Sequence, residues 1–125
     1  MFQSLELMRM AHAMATHAGE RQAIIAQNVA HADTPGYRAQ DLVAFASIYR
    51  DAGMGLKTTR AGHQGGGFQQ DKIVEDASAS QSPNGNTVSI ESQMVKAGET
   101  RHDHDVALAV YKTSLDILRL SIGRR

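Results

Sequence analysis

The sequence predicts a mainly α-helical chain, with a long heptad helix at each end and a loose Gly/Ser-rich segment between them. The two helices are expected to pair antiparallel as a coiled coil. Three observations lead there. Apolar residues step by three and four at both ends, the rhythm of a coiled-coil seam. Seven of the eleven glycines fall between residues 50 and 86. Of 125 residues 42% are apolar but only 5% aromatic, with no Trp, so small side chains suited to helix–helix contact dominate.

Residues 1–33 form the first predicted helix. Met8, Ala11, Ala15, Ala18, Gln22, Ile25, Val29 and Ala32 mark its stripe. No Pro interrupts it, and only Gly19 weakens it, by about 1 kcal/mol relative to Ala. At 1.5 Å per residue it would run roughly 45 Å. The stop has a physical reason. Thr34 precedes Pro35 and is pushed out of the helical region. Pro35 presets the first central position of a turn, and Gly36 supplies the positive φ that a type II turn requires at the second.

Residues 34–86 read as that turn, a short helix and a flexible connector. Asp41 is expected to cap a helix running to Arg50, with Leu42, Phe45 and Tyr49 on one face. Beyond it, Gly65-Gly66-Gly67 and the Ser-rich run before Asn84 sustain nothing longer than a short strand. Leu56, Phe68, Ile73 and Val74 are the few apolar anchors there.

Residues 87–125 form the second long helix. Asn84-Gly85-Asn86 turns the chain, Ser89 is the N-cap, and Glu91 sits near the positive end of the dipole. Ile90, Met94, Ala97, Arg101, His104, Leu108, Tyr111, Leu115, Leu118 and Ile122 continue the three-and-four stepping to Gly123. The polar seam positions Gln22, Arg101 and His104 fall near mid-helix, where they would fix register. Val95, Val106, Ala109, Val110, Ile117 and Leu120 lie off the stripe and require further partners. The three zones are read as one assembly domain.

Several function classes lose their basis. With 13 basic and 13 acidic residues the chain is neutral, which removes the electrostatic case for nucleic acid or an anionic membrane. There is no Cys for disulfides or thiolate sites. No apolar run approaches the roughly 20 residues that span a bilayer, and the first residues lack the pattern of a secretory signal peptide. In Arg101-His102-Asp103-His104-Asp105 the two His are two apart and point to different sides of a helix, so they cannot share one ion. Gly62-His63-Gln64-Gly65-Gly66-Gly67 lacks the Lys-Ser/Thr of a phosphate-binding loop. No nucleophile-elbow motif is present. No catalytic, cofactor-binding or metal-ligating residue is assigned, and no cofactor is expected.

Residues 28–37, Asn-Val-Ala-His-Ala-Asp-Thr-Pro-Gly-Tyr, closely resemble the Asn-x-Ala-Asn-x-x-Thr-Pro-Gly-Tyr signature of bacterial flagellar axial proteins of the rod, hook and hook-associated class. His31 is the one departure. Asp41-Leu42, an aromatic at Phe45, Asn84-Gly85-Asn86-x-Val88 and the short length are similar to the rod branch of that family. The resemblance implies a structural, non-enzymatic subunit of the proximal rod of the flagellar basal body. Such a subunit transmits torque and is required for flagellum assembly and motility. It also implies a periplasmic place, reached by the flagellar type III export route without a cleaved signal peptide. The implied partners are other rod proteins, the membrane-ring base and further copies. Asn28, Ala30, Thr34, Pro35, Gly36 and Tyr37 would form a packing node, with Tyr37 a partly buried anchor. Met8, Ala15, Ile25, Val29, Met94, Leu108, Tyr111, Leu115, Leu118 and Ile122 would form the seam. The alternatives are a sister rod protein of the same family, or a freestanding helical adaptor that dimerises through its heptads.

Overall fold

A computed structural model describes residues 2–53 and 73–123. The expectations for Leu56, Phe68 and the Gly65–Gly67 run lie outside those residues. In chain order the elements are α1 (Phe2–Ala30), β1 (Gln40–Leu42), α2 (Phe45–Gly53), β2 (Ile73–Glu75) and α3 (Ile90–Ile122). The chain is mainly helical, and its two long helices pack together. Gln93, early in α3, meets Asn28, late in α1, whereas Ala18 and Gln22 share a groove with Ala97 and His104. Numbers fall along one helix as they rise along the other, so the pair is antiparallel.

The contact line on α3 is Gln93, Thr100, Ala107 and Ser114, all buried and seven residues apart. Seven residues bring an α-helix back to nearly the same face. Ala11, Ala18 and Ile25 are the buried residues of α1's corresponding face. Small residues on both helices let the backbones approach closely. The two hydroxyls are satisfied within their own helix, Thr100 Oγ1 donating to Lys96 O (2.7 Å) and Ser114 Oγ to Val110 O (2.8 Å).

That line corrects the seam expected from the sequence. On α1, Ile25 is buried and Met8 and Ala15 are half-buried, but Val29 is exposed, because the seam passes to Asn28 in the last turn. On α3 the line runs one residue before the large apolar series. Met94 is 70% exposed, and Leu108, Tyr111 and Ile122 are also exposed, while Leu115 and Leu118 are half-buried flanks. The physical reason is the terminal polar contact. Gln93 must reach the buried Asn28 amide, and that rotates the bulky residues outward.

The middle of the chain holds a second correction. Asp41 does not cap a helix; it lies in β1, which pairs antiparallel with β2 in the register Gln40↔Glu75, Asp41↔Val74, Leu42↔Ile73. The short helix starts later, at Phe45, and turns Ile48 into the body. At α3 the expected caps are present. Ser89 Oγ accepts from Ser92 N (3.4 Å), Glu91 lies in the first turn, and Gly123 N–H closes on Arg119 O (2.7 Å).

Candidate assembly site

The signature residues and the start of α3 meet in one hydrogen-bonded node. At its base is Asn28, fully buried at 0% exposure. An amide so placed must find partners for both its ends, or desolvation costs about 1–3 kcal/mol per group. Asn28 Nδ2 donates to Gln40 O (2.7 Å) and to Gln93 Oε1 (3.0 Å). Its Oδ1 accepts from Gln40 N (3.0 Å) and from the Tyr37 hydroxyl (3.3 Å). One side chain thus imitates a neighbouring strand along β1 and also pins α1 to α3.

Above it, Asn86 closes the end of α1. Its Nδ2 faces three backbone carbonyls, His31 O (2.9 Å), Ala32 O (2.8 Å) and Thr34 O (2.8 Å). Helix C-termini leave carbonyls without intrahelical donors, and here a residue more than fifty positions away supplies one. Asn86 Oδ1 accepts from Val88 N (2.7 Å), which sets the path into α3. Gly36 has φ +74°, and Tyr37 N–H returns to Thr34 O (3.3 Å), the turn the sequence requires. Gly36 N–H also donates to Asn84 O (3.1 Å). Gly85 has φ +83°, and a Cβ there would stand 3.4 Å from Gly36 Cα. Thr87 completes the link, its N–H donating to Tyr37 O (3.0 Å) while its hydroxyl accepts from Ala39 N (2.7 Å).

His31, where the family signature has Asn, stacks on Tyr37 with ring centroids 4.5 Å apart and planes 9° from parallel. Its Nδ1 donates to Gln27 O (2.9 Å), which fixes the ring. Tyr37 is half-buried between this stack and Asn28. Ala30, Thr34 and Pro35 are exposed at the rim. Asn28, Gly36 and Tyr37 are therefore brought together, and the other signature residues shape the chain around them.

Sequence reasoning missed Asn86 as the central donor and Gln93 as the cross-helix partner. It also missed an ion chain beside the node. Arg21 forks onto Asp41, Nε to Oδ1 (2.9 Å) and Nη2 to Oδ2 (3.1 Å). Lys96 Nζ lies 3.3 Å from Asp41 Oδ2 and donates to Asp76 Oδ2. Burial works to raise the Asp41 carboxyl, but the Arg21 hydrogen bond, the Arg21 charge, Leu42 N–H and Lys96 outweigh it and hold it below its ordinary range. Asp76 is likewise held low, with burial opposed by hydrogen bonds from Lys96 and Ser78. Hydrogen bonding to Asp41 raises Arg21. A carboxyl depressed by folding stabilises the fold above its unfolded pKa of about 3.9, and that contribution is lost as pH falls through the lower folded value. Stability is therefore expected to hold level from neutral pH to about pH 5 and to fall below about pH 4. Asp41→Asn should flatten that acid limb in an equilibrium urea titration. An unchanged limb would remove the ion chain from the account.

Outside the node, one face of α3 is open. Val95, Val106, Ile117 and Leu120 are exposed and share one side of the helix, with exposed Met94 and Leu108 beside them. Scattered apolar residues need no explanation, but a row along one helix marks an interaction surface. The expected register residues Gln22, Arg101 and His104 line a common groove of about 570 Å³ with Gly19 and Gly98. Among the described residues, no three His, Asp or Glu side chains gather where a cation could be held, and no helix is long and apolar enough to cross a membrane.

Gly36 offers a clean test of the node. Open space surrounds the position of a Cβ there, so any penalty is conformational. Gly36→Val is expected to cost about 1–3 kcal/mol, because a β-branched residue resists positive φ. Gly36→Asn tolerates that region and should be nearly silent. Equal thermal midpoints for the two variants would refute the turn as the basis of the node.

No protein-family profile matches the chain. It is similar to the flagellar basal body rod protein FlgB of Agrobacterium fabrum (strain C58), 25% identical over 133 residues that cover 98% of this chain and 96% of that protein.

Proposed function

We propose, from this chain's membership of the FlgB family of flagellar rod proteins, that it is a structural subunit of the proximal rod of a flagellar basal body. It carries no catalytic role. Its work is to pack against other rod proteins, the membrane-ring base and further copies, to transmit torque, and so to support flagellum assembly and motility. It reaches the periplasm by the flagellar type III export route. The three zones, 1–33, 34–86 and 87–125, act as one assembly domain, with the two long helices continuing their heptad contacts as a coiled coil among neighbours.

The observation that carries this reading is the node. The two segments that resemble the axial family, Asn28–Tyr37 and Asn84–Val88, lie far apart in sequence yet hold each other through Asn86, Gly36 and Thr87. Within it, Asn28, Ala30, Thr34, Pro35, Gly36 and Tyr37 fix the exit from the first helix. The large apolar residues Met94, Leu108, Tyr111, Leu118 and Ile122 then serve contacts with neighbours, with Leu115 at the flank. A sister rod protein of the same family is the second reading, and the full-length similarity to a FlgB protein favours the first.

A gene deletion complemented by a tagged copy tests the proposal. Loss of swimming on deletion, and recovery of the tag in purified basal bodies with rod proteins, is the expected result. A normally flagellated deletion strain would overturn it. So would a chain purified from cells as a stable free dimer and absent from basal bodies, the behaviour of an adaptor.

A further inference from the structure

The two strands of the ribbon are attached by different physics. β1 is fixed on the body. Ala39 and Leu42 are buried, Asn28 brackets both backbone groups of Gln40, and Arg21 forks onto Asp41. β2 buries none of its own side chains, since Ile73, Val74 and Glu75 are all exposed. The Arg38–Glu75 ion pair (3.1 Å) is open to solvent, where such pairs contribute little. A three-residue ladder is marginal by itself. What draws this segment inward is Asp76. Its N–H donates to Ala39 O (2.9 Å), and its carboxylate is held by Lys96 from α3. Ser78 then turns the chain, its N–H and hydroxyl both donating to Asp76 Oδ1 (3.1 and 2.6 Å). By Ser82, whose N–H donates to Asn86 O (2.8 Å), the chain is tied to the node again.

We propose that the Lys96–Asp76 contact is a latch, and that residues 73–79 open from the helix pair as a local unit while β1, the node and both long helices stay closed. Regions held by few buried apolar contacts open at the low end of a protein's stability range, separately from its core. Among the described residues, the partly buried Lys96–Asp76 pair is what ties the unit to α3, and charge-assisted hydrogen bonds are the strong ones. The charged groups around Lys96 and Arg21 fit a latch: Asp41 and Asp76 face Lys96, while Glu99 and Asp103 add their charge near Arg21. Loss of Lys96 therefore leaves Asp41 with Arg21, and leaves Asp76 held by Ser78 but no longer tied to α3. Opening frees Ala39 O and the side of β1 at Asp41 that faces Val74, while Gln40 stays with Asn28; a strand edge so uncovered is of the kind another strand can pair with. Lys96 thereby controls whether that edge is offered. This holds whatever the chain assembles with.

Hydrogen exchange of the intact chain, followed by mass spectrometry, tests the latch in wild type, Lys96→Met and Asp76→Asn. Amides of residues 74–79 should exchange about tenfold or more faster in both variants. Amides of α1 and α3 should keep their wild-type protection. Unchanged exchange in 74–79 would overturn the proposal. So would acceleration of both helices by the same factor, which would make the contact part of the global fold. Should Lys96→Met fail to fold, Asp76→Asn preserves the shape and the Ser78 turn and decides by the same comparison.

Discussion

Asn86→Ala is expected to destabilise this chain strongly, by about 2–6 kcal/mol. The substitution takes the donor from Ala32 O and the acceptor from Val88 N–H. His31 O and Thr34 O keep the weaker turn contacts from Thr34 N (3.1 Å) and Tyr37 N (3.3 Å). Two newly orphaned groups, each costing about 1–3 kcal/mol, set the estimate. Asn86→Asp sharpens the test. It preserves size and the acceptor for Val88 but removes the donor and places a negative charge against three carbonyl oxygens. At neutral pH it should be worse than Ala, and it should regain stability as acid protonates the new carboxyl. Urea denaturation of both variants at pH 7 and pH 5 checks this. If Asp proves as stable as Asn at pH 7, the three carbonyl contacts do not operate in solution.

Much of this architecture was legible in the sequence, and the misses share a cause. Helix ends were readable because their chemistry is local: Thr34-Pro35-Gly36 must stop and turn, and Ser89 must cap. The seam of the first helix was readable as far as Ile25, since Ala and Ile repeat there with the right period. The seam of the last helix was not. A reading that follows large apolar residues selects Met94, Leu108 and Tyr111, whereas the buried line is Gln93, Thr100, Ala107 and Ser114. Gln93, Thr100 and Ser114 look like surface in a hydropathy pattern, and the position of Asn28 on the facing helix is what reveals the line. Asp41 failed for a related reason. An Asp before an amphipathic run reads as a cap, but Arg21 and Lys96 lie distant in sequence and claim its carboxylate for the ribbon. Asn28 carried a faint signal, being a poor helix former placed inside a strong helix. The resemblance to axial proteins picked it out; periodicity did not.

The outward apolar face gives the second large effect. Ile117→Asp and Leu120→Asp are expected to leave the isolated chain within about 0.5 kcal/mol of wild type, because both side chains are exposed. In an assembled rod the same charges would be buried without partners, at a cost of several kcal/mol. Each 1.4 kcal/mol is about tenfold in affinity, so association should weaken by about a hundredfold or more. Swimming should be abolished while the exported amount and the thermal midpoint stay normal. Motile cells with either variant built into their basal bodies would show that this face remains in water. A lowered midpoint would instead place these residues within the fold of the single chain.

The antiparallel register gives the molecule unlike poles. Twenty-six residues back from Asn28 lies Phe2, the start of α1, and twenty-six residues on from Gln93 lies Arg119. At equal rise per residue, Leu120 and Ile122, each 74% exposed, therefore lie beyond the level of Phe2. One pole carries the hydrogen-bonded amides and carbonyls of the node; the other, among the described residues, ends in exposed aliphatic side chains. Unlike surfaces meet head to tail, and repeated contacts of that kind form an open filament whenever the rotation between neighbours does not close a ring. A shaft made of such units carries an arrow. Its two ends present different chemistry.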